Sequence, residues 1–186
     1  MIKSWAWTLL ALAIQQSTDD DIKYLKEKGI SIQKPAKKDE WQFKDQGRLG
    51  KSQIVVAQVV DDISIELYSE ELDTDKVNYD PKYTLEQHWK LRSADGQYKE
   101  PKQVNKITAT NFPGRAASGV KVWLLDMTMK LADGTPIEWK EYCFIGHENR
   151  SGYIVNVITK QGIYEKHKKD IELILSSIKT YKIPKK

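Results

Sequence analysis

Residues 115–160, RAASGVKVWLLDMTMKLADGTPIEWKEYCFIGHENRSGYIVNVITK, decide the fold. Apolar and polar side chains alternate along three segments of this stretch, and such a period of two is typical of β-strands. Turn-forming residues at Asp133-Gly134 and Asn149-Arg150 separate the segments. We therefore predict three long antiparallel strands joined by two tight turns.

The alternation also predicts how the three strands pair, because directly opposed residues in an antiparallel pair lie on the same face. The expected pairs are Leu131–Ile137, Met129–Trp139, Leu125–Cys143 and Trp123–Ile145, then Ile145–Tyr153, Cys143–Val155 and Glu141–Val157. A slip of one residue would move such a set to the other face. That other face would carry Val120, Val122, Leu124, Tyr142, Phe144, Ile154 and Ile158. These are too many apolar residues for a face in water, so we expect both faces to be covered at least in part.

The rest of the chain predicts further strands and three helices. The expected strands are Ile30–Ile32, Trp41–Phe43, two within Ser52–Ser69 that meet at Asp61-Asp62, and Lys106–Phe112. The expected helices are Asp19–Lys28, Tyr83–Ala94 with Thr84 as its cap, and Tyr164–Ser177. The middle helix would turn Leu85, His88, Trp89 and either Leu91 or Arg92 towards the sheet. This pattern predicts an α+β fold, with an antiparallel sheet flanked by helices as an α/β/α sandwich.

Length and composition indicate one soluble domain, which we place at residues 19–183. The chain has 186 residues, of which 40% are hydrophobic and 30% charged. Its net charge of +4 is small, whereas nucleic-acid binding requires a concentrated basic face, so we do not expect a nucleic-acid partner. A single cysteine, Cys143, excludes an internal disulfide.

The N-terminus has the pattern of a secretory signal over residues 1–13. Lys3 is followed by an apolar run, and Ala11-Leu12-Ala13 has the small-x-small spacing of a cleavage site. The run is too short to span a membrane, so no stable membrane insertion is expected. If residues 1–13 are removed, the protein is extracytoplasmic, either periplasmic or secreted. The alternative is an amphipathic first helix that belongs to a cytoplasmic protein.

No motif for catalysis or metal binding is present in the sequence. His88, His147 and His167 are widely separated and lack the convergent partners that a zinc site needs. Cys143 lies in an apolar strand, and the chain has no G-x-S-x-G turn to carry a serine nucleophile. We therefore expect a protein that is not an enzyme and that needs neither metal nor cofactor.

Glu141 is the position where the apolar pattern breaks. The predicted register places this carboxylate on an apolar face beside Trp139 and Cys143, where it must be paired, exposed in a groove or shifted upwards in pKa. A lysine from a covering helix, or a sheet edge open to water, would explain it structurally. Glu141, Trp139 and His147, which follows the same strand, are the candidate residues for binding a ligand or partner. Asn149 begins an N-x-S glycosylation pattern in the next turn.

The order of segments resembles the PsbP/Mog-like superfamily, which includes the PsbP proteins of the photosynthetic oxygen-evolving complex and the DcrB-like bacterial proteins. The features that carry the resemblance are Gly29-Ile30-Ser31-Ile32, Lys34-Pro35, Trp41, the helix around Leu85 to Leu91, the long meander, and Ile174-Leu175-Ser176-Ser177-Ile178 near the end. The tryptophan usually follows the proline closely, whereas residues 36–40 intervene here. The resemblance covers about residues 22–183 and implies an α/β/α sandwich with binding, assembly or chaperone-like roles. No functional residue of the family can be placed on a matching position.

Three functions are consistent with these observations. The first is a secreted or periplasmic, non-catalytic binding or assembly module with a protein partner. The second is a cytoplasmic chaperone or adaptor of the same fold. The third is a small ligand-binding protein or hydrolase that uses Glu141 and its aromatic neighbours.

Overall fold

The computed structural model describes residues 21–25, 28–36, 39–44, 53–58, 63–70, 79–111, 121–146 and 151–183. The predicted signal, the Asp61-Asp62 break, His147 and Asn149 lie outside these ranges. The strands are β1 (Ile22–Leu25), β2 (Ile30–Gln33), β3 (Trp41–Lys44), β4 (Gln53–Gln58), β5 (Ile63–Glu70), β6 (Lys99–Gln103), β7 (Thr108–Thr110), β8 (Val122–Lys130), β9 (Pro136–Ile145), β10 (Gly152–Lys160) and β11 (Lys179–Thr180). The helices are α1 (Pro81–Ala94), between β5 and β6, and α2 (Tyr164–Ser176), between β10 and β11.

The described strands form two antiparallel sheets. The large sheet has the order β3-β4-β5-β10-β9-β8-β6, with β7 also paired to β8, and the small sheet has the order β1-β2-β11. Helix α1 packs on one face of the large sheet, against β8 and β9. Helix α2 packs with the small sheet and closes a core on the other face. The predicted α+β class, an antiparallel sheet flanked by helices, is confirmed.

Both faces of the large sheet are apolar and covered, as predicted. The α2 face contributes Val56, Ile65, Leu67, Val122, Tyr142, Phe144, Tyr153, Val155 and Val157 to one core, which Ile171, Ile174 and Leu175 of α2 complete. The α1 face contributes Leu125, Met127, Met129, Ile137, Trp139, Cys143 and Ile154 to a second core around Leu85 of α1. Each strand of the meander therefore has buried apolar residues on both faces.

The register predicted for the first hairpin is wrong by two residues. Met129 lies opposite Ile137, and Met127 lies opposite Trp139. The loop is centred on Asp133, where the Asp133 carboxylate accepts a 2.8 Å hydrogen bond from the backbone N–H of Thr135 and Gly134 takes a φ of 90°. A shift of two keeps every side chain on its predicted face, because the period of a strand is two residues.

The register predicted for the second hairpin is wrong by one residue, which exchanges the faces of β10. Phe144 lies opposite Tyr153, and Cys143 lies opposite Ile154. Tyr153, Val155 and Val157 consequently belong to the α2 core, whereas Ile154 joins the α1 core. The slip exposes nothing apolar, since both faces of the sheet are buried.

Two local predictions are also wrong. Residues 22–25, expected within a helix, form strand β1, because they pair with β2 and Leu25 is buried there. Helix α1 begins at Pro81, and its cap is Asp80 rather than Thr84. The Asp80 carboxylate accepts hydrogen bonds from the backbone N–H groups of Lys82 and Tyr83. Strand β6 was not predicted, and β7 is shorter than the expected strand.

The contact between Gly152 and Tyr79 provides a test of packing at the start of α1. A Cβ atom at Gly152 would lie 2.8 Å from a ring carbon of Tyr79, whose hydroxyl is 2.8 Å from the Cys143 thiol. We expect Gly152→Ala to lower the free energy of unfolding by about 1–3 kcal/mol through overpacking, measured by urea denaturation. Gly96→Ala is the control, because a Cβ there meets nothing within 4 Å. Equal effects of the two substitutions would contradict the packing described.

Candidate functional site

One side of α1 faces the sheet. Leu85, His88 and Arg92 follow one another at spacings of three and four residues, so they lie on the same side of the helix. Leu85 is fully buried in the core of that face, whereas Leu91 is 68% exposed. The sequence left open whether Leu91 or Arg92 is the last residue on the side of α1 that faces the sheet. The structure shows that it is Arg92.

Glu141, at the centre of β9, is fully buried beneath this side of α1. Its Oε1 atom pairs with Nδ1 of His88, and its Oε2 atom accepts a hydrogen bond from Nη1 of Arg92. We call these three residues the Glu141 cluster. A carboxylate removed from water is tolerated only when it is paired and hydrogen-bonded, and here each oxygen has its own partner from α1.

Trp139 holds the arginine of the cluster from a second direction. The guanidinium carbon of Arg92 lies 4.2 Å from the centroid of the Trp139 ring, a distance suited to cation–π attraction. Tyr98 meets the same ring edge-on, with 5.8 Å between the centroids. Arg92 therefore has a fixed position between a carboxylate and an aromatic surface.

A row of polar side chains continues from Glu141 across the sheet. Asn156 of β10 lies directly opposite Glu141, and Glu66 of β5 lies opposite Asn156. The hydroxyl of Tyr68 donates a hydrogen bond to Glu66. Burial raises the pKa of this hydroxyl, and the Glu66 carboxylate raises it further. Asn156 is 4% exposed, and its Oδ1 atom accepts no hydrogen bond from the part of the chain that the structure describes.

The structure brings two of the three predicted binding residues together. Glu141 and Trp139 lie two residues apart on the same face of β9, and Arg92 contacts both. His147 lies outside the described residues. The roles of all three in binding stay predictions. His88 and Arg92 were not recognised as partners of Glu141, although two polar side chains four residues apart on a covering helix can reach the two oxygens of a buried carboxylate.

The adjoining flank of α1 forms one wall of a groove. Strand β6 and the segment that leads from it to β7 form the other wall, and the groove has a volume of about 360 Å³. Seven residues line it: Lys82, Glu86, Trp89, Lys90, Gln103, Lys106 and Ile107. We call it the lysine groove. It adjoins the Glu141 cluster through α1 but shares no residue with it.

Within the described ranges of the chain, no cluster of three or more histidine, cysteine, aspartate or glutamate side chains is arranged to hold a metal ion. None of the helices in the same ranges has the length and apolar character needed to cross a membrane.

The solved structures that are similar to this chain over most of its length include the following two. The solution structure of cyanobacterial PsbP (CyanoP) from Synechocystis sp. PCC 6803 is 14% identical, with a TM-score of 0.58 and coverage of 89% of this chain and 91% of CyanoP. The crystal structure of LpqN, involved in cell envelope biogenesis of Mycobacterium tuberculosis, is 12% identical, with a TM-score of 0.51 and coverage of 82% and 83%. No family model matches the sequence, and no curated protein matches it. At these identities the likeness shows the fold alone, which is PsbP-like as the sequence resemblance implied.

The burial of the Glu141 cluster leads to a prediction about stability. Arg92→Leu leaves a buried carboxylate without its strongest partner, so we expect the free energy of unfolding to fall by about 3–5 kcal/mol in urea denaturation. The double variant Arg92→Leu/Glu141→Leu should regain most of that loss, because no charge is then buried. Lys90→Leu, at an exposed position on the same helix, should change stability by no more than about 0.5 kcal/mol. An Arg92→Leu effect as small as that control would show that the ion pair does not stabilise the fold.

Proposed function

We propose that this chain is a non-catalytic binding or assembly module of the cell envelope, which works outside the cytoplasm with a protein partner. Similarity to CyanoP and LpqN over more than four-fifths of this chain supports the proposal. LpqN is described as involved in cell envelope biogenesis, and the N-terminal pattern of residues 1–13 suits export. The second reading of the N-terminus, a first helix of a cytoplasmic chaperone or adaptor, is the competing outcome.

The buried position of Glu141 supports the non-catalytic part of the proposal above all. A general acid or base must come within hydrogen-bonding distance of the substrate proton that it transfers. Glu141 is fully buried, and Arg92 and His88 occupy its two oxygens. In this proposal its task is to fix α1 on the sheet, so that the outer surface of the helix is presented to a partner in one orientation.

The start of the mature chain tests the location. Mass spectrometry of the protein isolated from its native host should find an N-terminus near Ile14, because Ala11-Leu12-Ala13 fits the spacing that signal peptidase reads. Cell fractionation of the same sample should recover the protein outside the cytoplasm, with a cytoplasmic enzyme as the control for leakage. Recovery of a chain that still begins at Met1, in the cytoplasmic fraction, would refute export.

A second candidate function is the binding of a small polar ligand along the row beside Glu141. The buried Oδ1 atom of Asn156 favours it, because buried polar atoms in proteins nearly always have a partner. Glu66 and Tyr68 lie next to Asn156 and are each only partly buried, so a ligand could approach them. A ligand that donates N–H or O–H groups would satisfy the Asn156 amide oxygen.

Native mass spectrometry tests this second candidate. If the row binds a ligand, the protein purified from its native host should carry an added mass, which Asn156→Leu should lose. Thr128→Leu is a suitable control, because Thr128 is partly buried on β8 and faces away from α1. An unmodified mass for the wild-type protein, together with a clear loss of stability in urea for Asn156→Leu, would mean that the row is structural.

A further inference from the structure

The lysine groove has an excess of positive charge that the described part of the chain leaves unbalanced. Lys82, Lys90 and Lys106 line the groove, whereas Glu86 is the single acid among its lining residues. Lys82 lies 3.5 Å from the Glu86 carboxylate. Lys90 and Lys106 are exposed and form no ion pair with any described residue. The groove therefore has two cationic side chains that are available to an incoming carboxylate.

Apolar surface lies between these charges. Trp89 and Ile107 are both partly buried and form the apolar part of the lining, and Val104 nearby is 48% exposed. The same combination continues on the adjacent surface of the sheet. There the Trp123 ring lies 4.6 Å from the ammonium of Lys121 and 5.8 Å from that of Lys82. Aromatic side chains with cations beside them provide both apolar contact area and charge selection to a partner.

From this chemistry we infer that the lysine groove binds an acidic segment of a partner protein, with its aspartates or glutamates at Lys90 and Lys106 and an apolar side chain against Trp89. The inference deepens the proposed function, on which it rests, by naming the chemistry of the partner. Gln103 and the Glu86 carboxylate complete the site, since both can accept hydrogen bonds from the backbone N–H groups of a peptide.

The shape and charge of the groove favour a peptide over other anionic partners. A nucleic acid presents a continuous row of phosphates and is recognised by a longer basic face than this groove provides. A bilayer surface is flat, whereas the apolar side chains of this groove, Trp89 and Ile107, are partly buried. A volume of about 360 Å³ is at the lower end of small-molecule pockets, which suits a few side chains of an extended segment.

Binding of a defined peptide to the purified full chain tests the inference. The probe is a fluorescein-labelled peptide in which glutamates alternate with leucine and phenylalanine, and its comparison peptide has glutamine in place of each glutamate. We expect fluorescence anisotropy to show binding of the acidic probe alone, weakening as salt is raised. Lys90→Glu/Lys106→Glu should weaken it by about tenfold or more. Circular dichroism and urea denaturation would establish that the variant is folded.

The control variant is Lys166→Glu/Lys169→Glu, which makes the same change in net charge at exposed positions of α2, on the other side of the large sheet. It should bind the acidic probe as the wild-type protein does. Equal losses in the two variants, or equal binding of the glutamine peptide, would overturn the inference. So would binding through Lys90 and Lys106 to duplex DNA or to phosphatidylglycerol vesicles in preference to the peptide. The peptide-binding assay does not depend on export. Its failure can therefore be distinguished from a failure of the proposed location, which the mass of the N-terminus tests.

Discussion

The buried charge of Glu141 constrains where α1 can lie. Removing a carboxylate from water costs several kcal/mol even after a protein has relaxed around it, so the folded state must return that free energy through pairing. Both partners, Arg92 and His88, come from α1 and are one helical turn apart. The helix can satisfy both carboxylate oxygens only at one rotation and one position along β9. Leu85 enters the core and Lys82 and Lys90 remain outside as consequences of that rotation.

The Glu141 cluster selects one position of α1 on the sheet, which the apolar core of the same face does not do. Met127, Met129 and Ile137 form a continuous apolar surface, on which a helix with few buried side chains could settle in several positions at similar free energy. Only Pro81 and Leu85 of α1 are buried. We interpret the ion pair with Arg92 as the contact that selects one of those positions, which is the best-attested role of buried polar pairs in other folds.

The fold class followed from the sequence, whereas the strand register did not. Alternation identified the meander, and the apolar residues on both of its faces predicted two covered faces. The same double-sided burial removed the information that would have fixed the register of β10, because alternation cannot tell the two faces of a strand apart when both are apolar. Strand β1 was predicted to be helical for a different reason. Its charge distribution suits a helix, but pairing with β2 decides the structure of such a short segment.

The candidate site was predictable at Glu141 and not at its partners. A carboxylate within an apolar strand can be recognised from a single sequence. Its contacts to His88 and Arg92 cannot, because they depend on the packing of α1 over β9, and these residues are about fifty positions from Glu141 along the chain. A mid-chain helix with a histidine and an arginine four residues apart was visible too, but nothing local connected it to Glu141. The lysine groove was less predictable still, because β6 lacks the alternation of a strand.

The two sides of α1 depend on each other physically. The lysine groove is bounded by the helix on one side and by β6 with its following segment on the other, and only the first of these walls is fixed by buried charge. A rotation of α1 by one residue would turn Trp89 and Lys90 by about 100°, which follows from 3.6 residues per turn, and would separate them from Lys106. The shape of the groove at the surface is therefore set by the ion pair beneath it. A protein can keep a small recognition surface in one conformation in this way, by anchoring the helix that carries it to a charge in the core.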